Sequence, residues 1–288
     1  MSQLLTPGMH SMTVDGIEQH FRVAGSGPFC IVHAGGPGID AGYLRLPLLE
    51  PHLTMIYLDP IGTGRSGRLS THPMGYSVAR FSDHLLAFIT VAGIDDPYLL
   101  GHSHGAFVAL DAALKRPHAI AGLILYAGAA FTGGDFMASA GAEISAFVDR
   151  HKGTREADSV QQAWASIPAM QNDEDYTSAL RRLLPAYFSD HRRLAAVLQD
   201  LQGQLRATLL IGDKQAFDVR DRLAGLSVPT LIMVGVDDFI LGPRHAAGLA
   251  HGIPNSRLET LNHSGHFAHI EEPEAFAESI IQFTRAPG

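Results

Sequence analysis

Short apolar runs bounded by Gly, Pro and Asp alternate along the chain with longer segments in which apolar residues recur at helical spacing. That alternation predicts a mostly parallel sheet covered by helices, the α/β class. Strands are expected at Phe29–His33, Thr54–Asp59, Tyr98–His102, Gly122–Tyr126, Thr230–Gly235 and Arg257–Leu261. Ahead of them, Ser11–Val14 and Gln19–Val23 flank Asp15-Gly16 and are expected to pair as an antiparallel hairpin. Helices are expected at 40–48, 77–92, 104–115, 216–224, 243–251 and 273–285. The last is framed by Pro273, with Glu271, Glu272 and Glu274 at the positive end of the helix dipole.

Between 131 and 212 the β-branched runs disappear and Ala, Gln, Leu, Arg and Asp dominate at helical spacing. This segment reads as an all-helical cap, or lid, inserted into a core formed by 1–130 and 213–288. Following one sheet strand and preceding the next two, it should sit over the carboxyl ends of the strands, where open α/β sheets place their ligands.

The candidate chemistry starts at Gly101-His102-Ser103-His104-Gly105, between the strand at 98–102 and an alanine-rich helix. A five-residue pattern of this kind arises easily by chance; its flanking elements give it meaning. A tight strand-to-helix corner needs small residues where backbones approach, and it holds the central hydroxyl out at the helix N-terminus. Ser103 is therefore the candidate nucleophile. A serine hydroxyl needs a base to take its proton and a third group to fix that base's tautomer. Of sixteen histidines, His266 is the expected base, in a loop after the last strand and behind Gly265, with His263 the alternative. Asp238, just past the strand at 230–235, is the expected acid, with Asp237 the alternative. The oxyanion hole is expected from the backbone N–H of His104 and of Gly36, with Gly35 close behind, in the glycine-rich turn His33-Ala34-Gly35-Gly36-Pro37-Gly38.

Composition narrows the partners. At 288 residues and 46% hydrophobic, the chain can bury a large core. A formal net charge of -8 disfavours nucleic acid and anionic membrane surfaces. No stretch approaches the length needed to cross a bilayer, and the segment Met1–Gly8 lacks the basic and apolar regions of a secretory signal, so a cytoplasmic location is expected. The single Cys30 lies in an apolar run and reads as a buried, inert thiol. Gly62-Thr63-Gly64-Arg65-Ser66-Gly67 matches a dinucleotide fingerprint in form, but the Pro- and Gly-bearing residues after it read as a loop, and no cofactor is expected. No metal is expected either, because His102, His104, His263, His266 and His269 lack sulfur or acidic co-ligands at recognisable spacing.

The order Ser103, Asp238, His266, with the glycine turn at 33–38, Asp59-Pro-Ile-Gly-Thr-Gly-Arg-Ser66, Gly235-x-x-Asp238 and Gly265-His266, resembles the α/β-hydrolase superfamily, and within it the proline iminopeptidase branch, peptidase family S33. The resemblance implies an α/β-hydrolase fold with an inserted cap and a cofactor-free serine hydrolase acting on a small-molecule acyl substrate: an ester, lactone or amide. That branch carries tryptophan–glutamate pairs in its cap, whereas here the single Trp164 precedes Ala165. Glu143, Asp173, Glu174 and Asp175 are the acidic residues available to substitute, or they form a solvated helix face. Aminopeptidase activity is thus one alternative. Lyase or C–C bond chemistry and plain ligand binding on the same scaffold are others.

Overall fold

The computed structural model describes residues 5–212 and 215–285. The expected core–cap boundary at 212/213 and the first residues of the N-terminal segment, Met1–Leu4, lie outside the described residues. Eight strands form one sheet: β1 (Gly8–Val14), β2 (Ile17–Gly25), β3 (Phe29–His33), β4 (Thr54–Leu58), β5 (Tyr98–His102), β6 (Gly122–Tyr126), β7 (Thr230–Gly235) and β8 (Ser256–Leu261). Their spatial order is β1-β2-β4-β3-β5-β6-β7-β8. Strands β1 and β2 form the expected hairpin, β2 pairs antiparallel with β4, and all later pairings are parallel.

The parallel strands read as continuous apolar runs because helices cover both faces. Side chains alternate accordingly. Ile31, Leu99, Leu123, Leu125 and Ile232 join one core with helices α1 (Val78–Ala92), α2 (His104–Lys115) and α7 (Pro243–Gly252). Cys30, Val32, Leu100, Ile124, Leu231 and Met233 join the opposite core with α9 (Pro273–Arg285). Burial pushes the Cys30 thiol up to about 12, in keeping with an inert side chain. Helix α1 begins where the Ser77 side chain accepts from the Arg80 N–H and ends at Gly93, whose φ of 62° supplies the left-handed turn.

Two expected helices are not formed. Residues 40–48 hold only a 3-10 turn at Ala41–Tyr43. Leu44, Leu46 and Leu49 are buried, so their spacing imitates a helix face, but Pro47 has no N–H to continue one. Residues 216–224 likewise contain only a 3-10 segment, Arg220–Gly225. The loop at 62–67 opens no helix; turns follow it until α1.

Between β6 and β7 lie α3 (Gly134–Arg150), α4 (Arg155–Ser166), α5 (Asp173–Leu183) and α6 (Ala195–Gln204). Ile144, Phe147, Val160, Ala163 and Leu183 form a small core of their own, which Phe239 of the sheet domain enters. A second cluster gathers Leu184, Phe188 and Leu198 around Phe267. These helices are therefore packed directly onto the loops that follow β7 and β8.

Candidate active site

Ser103 sits at the corner between β5 and α2 with φ 56° and ψ -122°, a conformation that costs a non-glycine residue about 1–3 kcal/mol. The flanking glycines show what holds it there. A Cβ on Gly105 would lie 2.1 Å from the His33 carbonyl oxygen, and one on Gly101 would lie 2.1 Å from that of Gly105. Neither position admits a side chain, so the corner presses β3, β5 and the start of α2 together.

His266 and Asp238 meet directly. The His266 Nδ1–H donates to Asp238 Oδ2 over 2.7 Å, both side chains being buried. The other carboxylate oxygen, Oδ1, accepts from the Ile240 and Leu241 N–H groups at 3.0 Å each. That bond fixes the imidazole tautomer and leaves Nε2 as the nitrogen free to accept a proton. Gly265 earns its place by contact: a Cβ there would lie 2.4 Å from the Tyr187 carbonyl, the same carbonyl that accepts from the His266 N–H at 2.7 Å. The alternatives Asp237 and His263 face elsewhere. Asp237 bonds the Ser189 hydroxyl, and His263 is exposed, its N–H donating to Glu272.

Ser103 and His266 line one cavity together with Gly35 and Gly36. No hydrogen bond joins Oγ to Nε2 among the described residues, and such contacts often tighten only around a substrate. Of the candidate oxyanion donors, the Gly35 N–H is already committed to Tyr43 Oη at 2.8 Å. The N–H groups of Gly36 and His104 have no partner among the described residues. The His104 side chain is used structurally: its ring packs on Phe81 and Phe107, and burial pushes its pKa down to about 3. His102 packs elsewhere, its ring against Tyr43 and Tyr126.

His102 anchors a buried polar network that sequence reading missed. Its Nε2–H donates to the His266 carbonyl at 3.0 Å, leaving Nδ1 to accept from Tyr43 Oη at 2.6 Å. Tyr43 Oη in turn accepts from Gly35. One hydroxyl thus couples the glycine turn, the residue before Ser103 and the histidine loop. His269 completes the arrangement, donating from Nε2 to the Tyr43 carbonyl at 3.1 Å, with Nδ1 against Tyr126 Oη at 3.0 Å. Desolvation holds both imidazoles neutral, His102 well below the usual histidine range and His269 at about 4. A charged His102 would turn an N–H toward a hydroxyl proton and break the chain. The missed signal was the pairing of Tyr43 with His102 across 59 residues, to which no local spacing points.

A third anchor ties the capping helices to the same loops. The buried Glu271, in α8 (Ala268–Glu271), accepts from the N–H groups of Gly265 at 2.6 Å and Ser189 at 2.9 Å. Desolvation raises its pKa to about 7 against the pull of those donors. Its neighbour Glu272 takes the Ser264 hydroxyl at 2.6 Å.

A family model described as the alpha/beta hydrolase fold matches residues 27–273. The chain belongs to that family. Its sequence is 25% identical over 276 residues to a protein of Agrobacterium fabrum named carbamate hydrolase RutD, covering 92% of this chain and 96% of that one. It is 26% identical over 284 residues to the 2-hydroxy-6-oxo-2,4-heptadienoate hydrolase of Pseudomonas putida, covering 94% of each. Among solved structures, the esterase RhEst1 of Rhodococcus sp. superposes with a TM-score of 0.75 at 21% identity, over 97% of this chain and 99% of that one, and so shares the fold. The chain is a hydrolase of this fold. These relatives do not single out the proline iminopeptidase branch that the motifs suggested, because those motifs surround Ser103 and His266 rather than the inserted segment's Tyr176, Leu180 and Leu184, which also line the cavity.

Proposed function

We propose that this alpha/beta hydrolase is a serine hydrolase that cleaves a small ester, lactone or amide through an acyl-enzyme. Ser103 Oγ attacks the carbonyl carbon while His266 Nε2 takes its proton. Asp238 holds the imidazolium, and the N–H groups of Gly36 and His104 receive the developing oxyanion. His266 then returns the proton to the leaving group, and water repeats the sequence to release the acid. The observation that carries this reading is the buried His266–Asp238 bond of 2.7 Å facing a cavity that Ser103 also lines.

The names of two relatives favour a second reading, carbamate or C–C bond hydrolysis by the same residues. Against it, no Lys or Arg lines the cavity shared by Ser103 and His266 to hold a carboxylate, and the Arg222 bordering the adjoining cavity is paired with Asp111. No acidic residue lines it either, Asp173, Glu174 and Asp175 sit in the exposed first turn of α5, and the carboxylates of the adjoining cavity are paired, Asp111 with Lys115 and Arg222 and Asp218 with Arg220, so the aminopeptidase reading lacks an unpaired group to receive a free amine. No helix among the described residues is long and apolar enough to cross a membrane.

The test is a fluorophosphonate probe and a panel of short-chain esters, lactones, carbamates and prolyl amides, applied to the wild type and to Ser103→Ala. Labelling confined to the wild type, with ester turnover lost in the variant, supports the mechanism. Turnover that survives in a folded Ser103→Ala protein refutes it.

A further inference from the structure

Ser103 lies on the wall between two chambers. Both are bordered by Gly36, Ser103 and Ile240, yet only one is bordered by His266 and only the other by His104. The chamber holding His266 has a volume of about 80 Å³; the other has about 570 Å³. Resting on the serine-hydrolase reading above, we propose that the small chamber receives the leaving group and the large one the acyl group, so that the preferred substrate joins a bulky apolar acyl group to a short, uncharged alcohol or amine.

The direction follows from the proton's route. In the tetrahedral intermediate the reacting carbon carries Oγ, the oxyanion, the leaving oxygen or nitrogen, and the acyl substituent. The oxyanion turns toward the N–H groups of Gly36 and His104. The leaving atom must come within hydrogen-bond reach of His266 Nε2, since that nitrogen returns the proton as the bond to carbon breaks. Its substituent therefore extends into the chamber that His266 borders. The acyl substituent is left with the remaining direction, past His104 into the large chamber. After the alcohol departs, the small chamber admits the water whose proton passes to the same Nε2, which hands it to Oγ as the C–Oγ bond breaks and the acid is released.

The walls set the chemistry. Tyr43, Tyr176, Leu180, Leu184, Tyr187 and Phe267 enclose the small chamber. The hydroxyls of Tyr43 and Tyr176 are already engaged, by Gly35 and His102 and by the Pro37 carbonyl. Burial holds the Tyr187 phenol protonated, and its hydroxyl has no partner among the described residues, leaving it as a neutral donor. With no carboxylate, Lys or Arg on these walls, a charged leaving group would be desolvated without a partner. An apolar cavity of roughly 150 Å³ takes benzene, so the present one fits ~3 heavy atoms. The large chamber is walled by Phe136 and by Phe107 and Phe217, whose rings stack 5.4 Å apart. Its charged groups are paired, Arg222 with Asp111 at 3.4 Å and Asp218 with Arg220 at 2.6 Å. An apolar or aromatic acyl chain matches it.

The experiment crosses two ester series with two variants. At a fixed hexanoyl group, methyl, propyl, 2-aminoethyl and cyclohexyl esters vary the leaving group; at a fixed methanol leaving group, acetate, hexanoate and 3-phenylpropanoate vary the acyl group. In the wild type, kcat/KM should fall about tenfold or more from methyl to cyclohexyl. It should fall similarly from propyl to the cationic 2-aminoethyl ester, and rise from acetate to hexanoate. Leu180→Ala should restore the cyclohexyl ester without altering the acyl profile. Phe136→Ala should flatten the acyl profile while leaving the alcohol series intact. Phe217→Ala serves as a second large-chamber variant should Phe136→Ala fold poorly.

An exchange of the two variants' effects overturns the assignment, as does a cyclohexyl ester cleaved as fast as the methyl ester by the wild type. Folded protein that neither turns over any ester nor takes the fluorophosphonate label fails at the earlier step, and both readings fall together.

Discussion

Replacing Asp238 with Asn changes one atom, and the hydrogen bonds around it dictate the outcome. Oδ1 accepts from the Ile240 and Leu241 N–H groups at 3.0 Å each, so the amide oxygen of an Asn must occupy that place. Turning the amide over would set its NH2 against two backbone donors, at about 1–3 kcal/mol for each buried group left unsatisfied. The NH2 is therefore forced toward His266, where Oδ2 now accepts from Nδ1 at 2.7 Å. Facing a donor, Nδ1 must become the acceptor, and the imidazole proton moves to Nε2. An imidazole protonated there cannot take a proton from Ser103. The loss at neutral pH should approach 10⁴ in kcat, about 5.5 kcal/mol of transition-state stabilisation.

The assay is single-turnover hydrolysis of a methyl ester by Asp238→Asn, with Asp237→Asn as the control, together with the rate of fluorophosphonate labelling. Asp237→Asn should stay within a few fold of the wild type, because Asp237 bonds Ser189 rather than the histidine. Both Asp238→Asn rates should collapse together while its thermal unfolding barely moves. Activity in Asp238→Asn within about tenfold of the wild type would refute the tautomer argument, and with it the role given to His266.

Tyr43→Phe deletes the hydroxyl shared by Gly35 and His102; it should cost about 1–3 kcal/mol in urea unfolding and lower kcat with little change in KM, whereas a purely structural role would move stability alone. Gly105→Ala drives a Cβ to 2.1 Å from the His33 carbonyl oxygen, and should destabilise the fold by more than about 3 kcal/mol, measured as a fall in denaturation midpoint. Glu271 has a native pKa raised from 4.5 to about 7, so between those values the folded state binds more protons than the unfolded one and stability falls as pH rises. Glu271→Gln should flatten the unfolding free energy between pH 4.5 and 7, and an unchanged slope would show that the carboxyl is not the titrating group.

The sheet was legible because its parallel strands are buried on both faces and cannot be polar on either; β3, β5, β6 and β7 stand where their apolar runs lie. The corner at Ser103 and the loops bearing Asp238 and His266 were legible for a related reason: glycines at 101, 105, 235 and 265 stand where a Cβ would meet backbone within 2.4 Å. Residues 40–48 misled, since Leu44, Leu46 and Leu49 reach the core from an irregular segment. That segment carries Tyr43, so the misread backbone and the missed network share one cause: tertiary contacts with His102 and His269, added to the short 3-10 turn at Ala41–Tyr43, hold the chain there. The inserted helices were foreseen as a group, but the two chambers below them depend on how side chains from α5, the 33–38 turn and the sheet loops meet.

Phe239 follows Asp238 and Phe267 follows His266, and each ring enters a cluster built by the inserted helices. The loops bearing Asp238 and His266 and the covering layer consequently form one mechanical unit. A chimaera that transplants 131–212 from a relative would bring walls shaped for foreign rings at 239 and 267, and would tilt the imidazole even with every polar partner retained. Productive recombination should require the two phenylalanine positions to travel with the helices, so that diversification of substrate range on this scaffold proceeds by co-inheritance of three distant stretches of chain rather than by exchange of a detachable module.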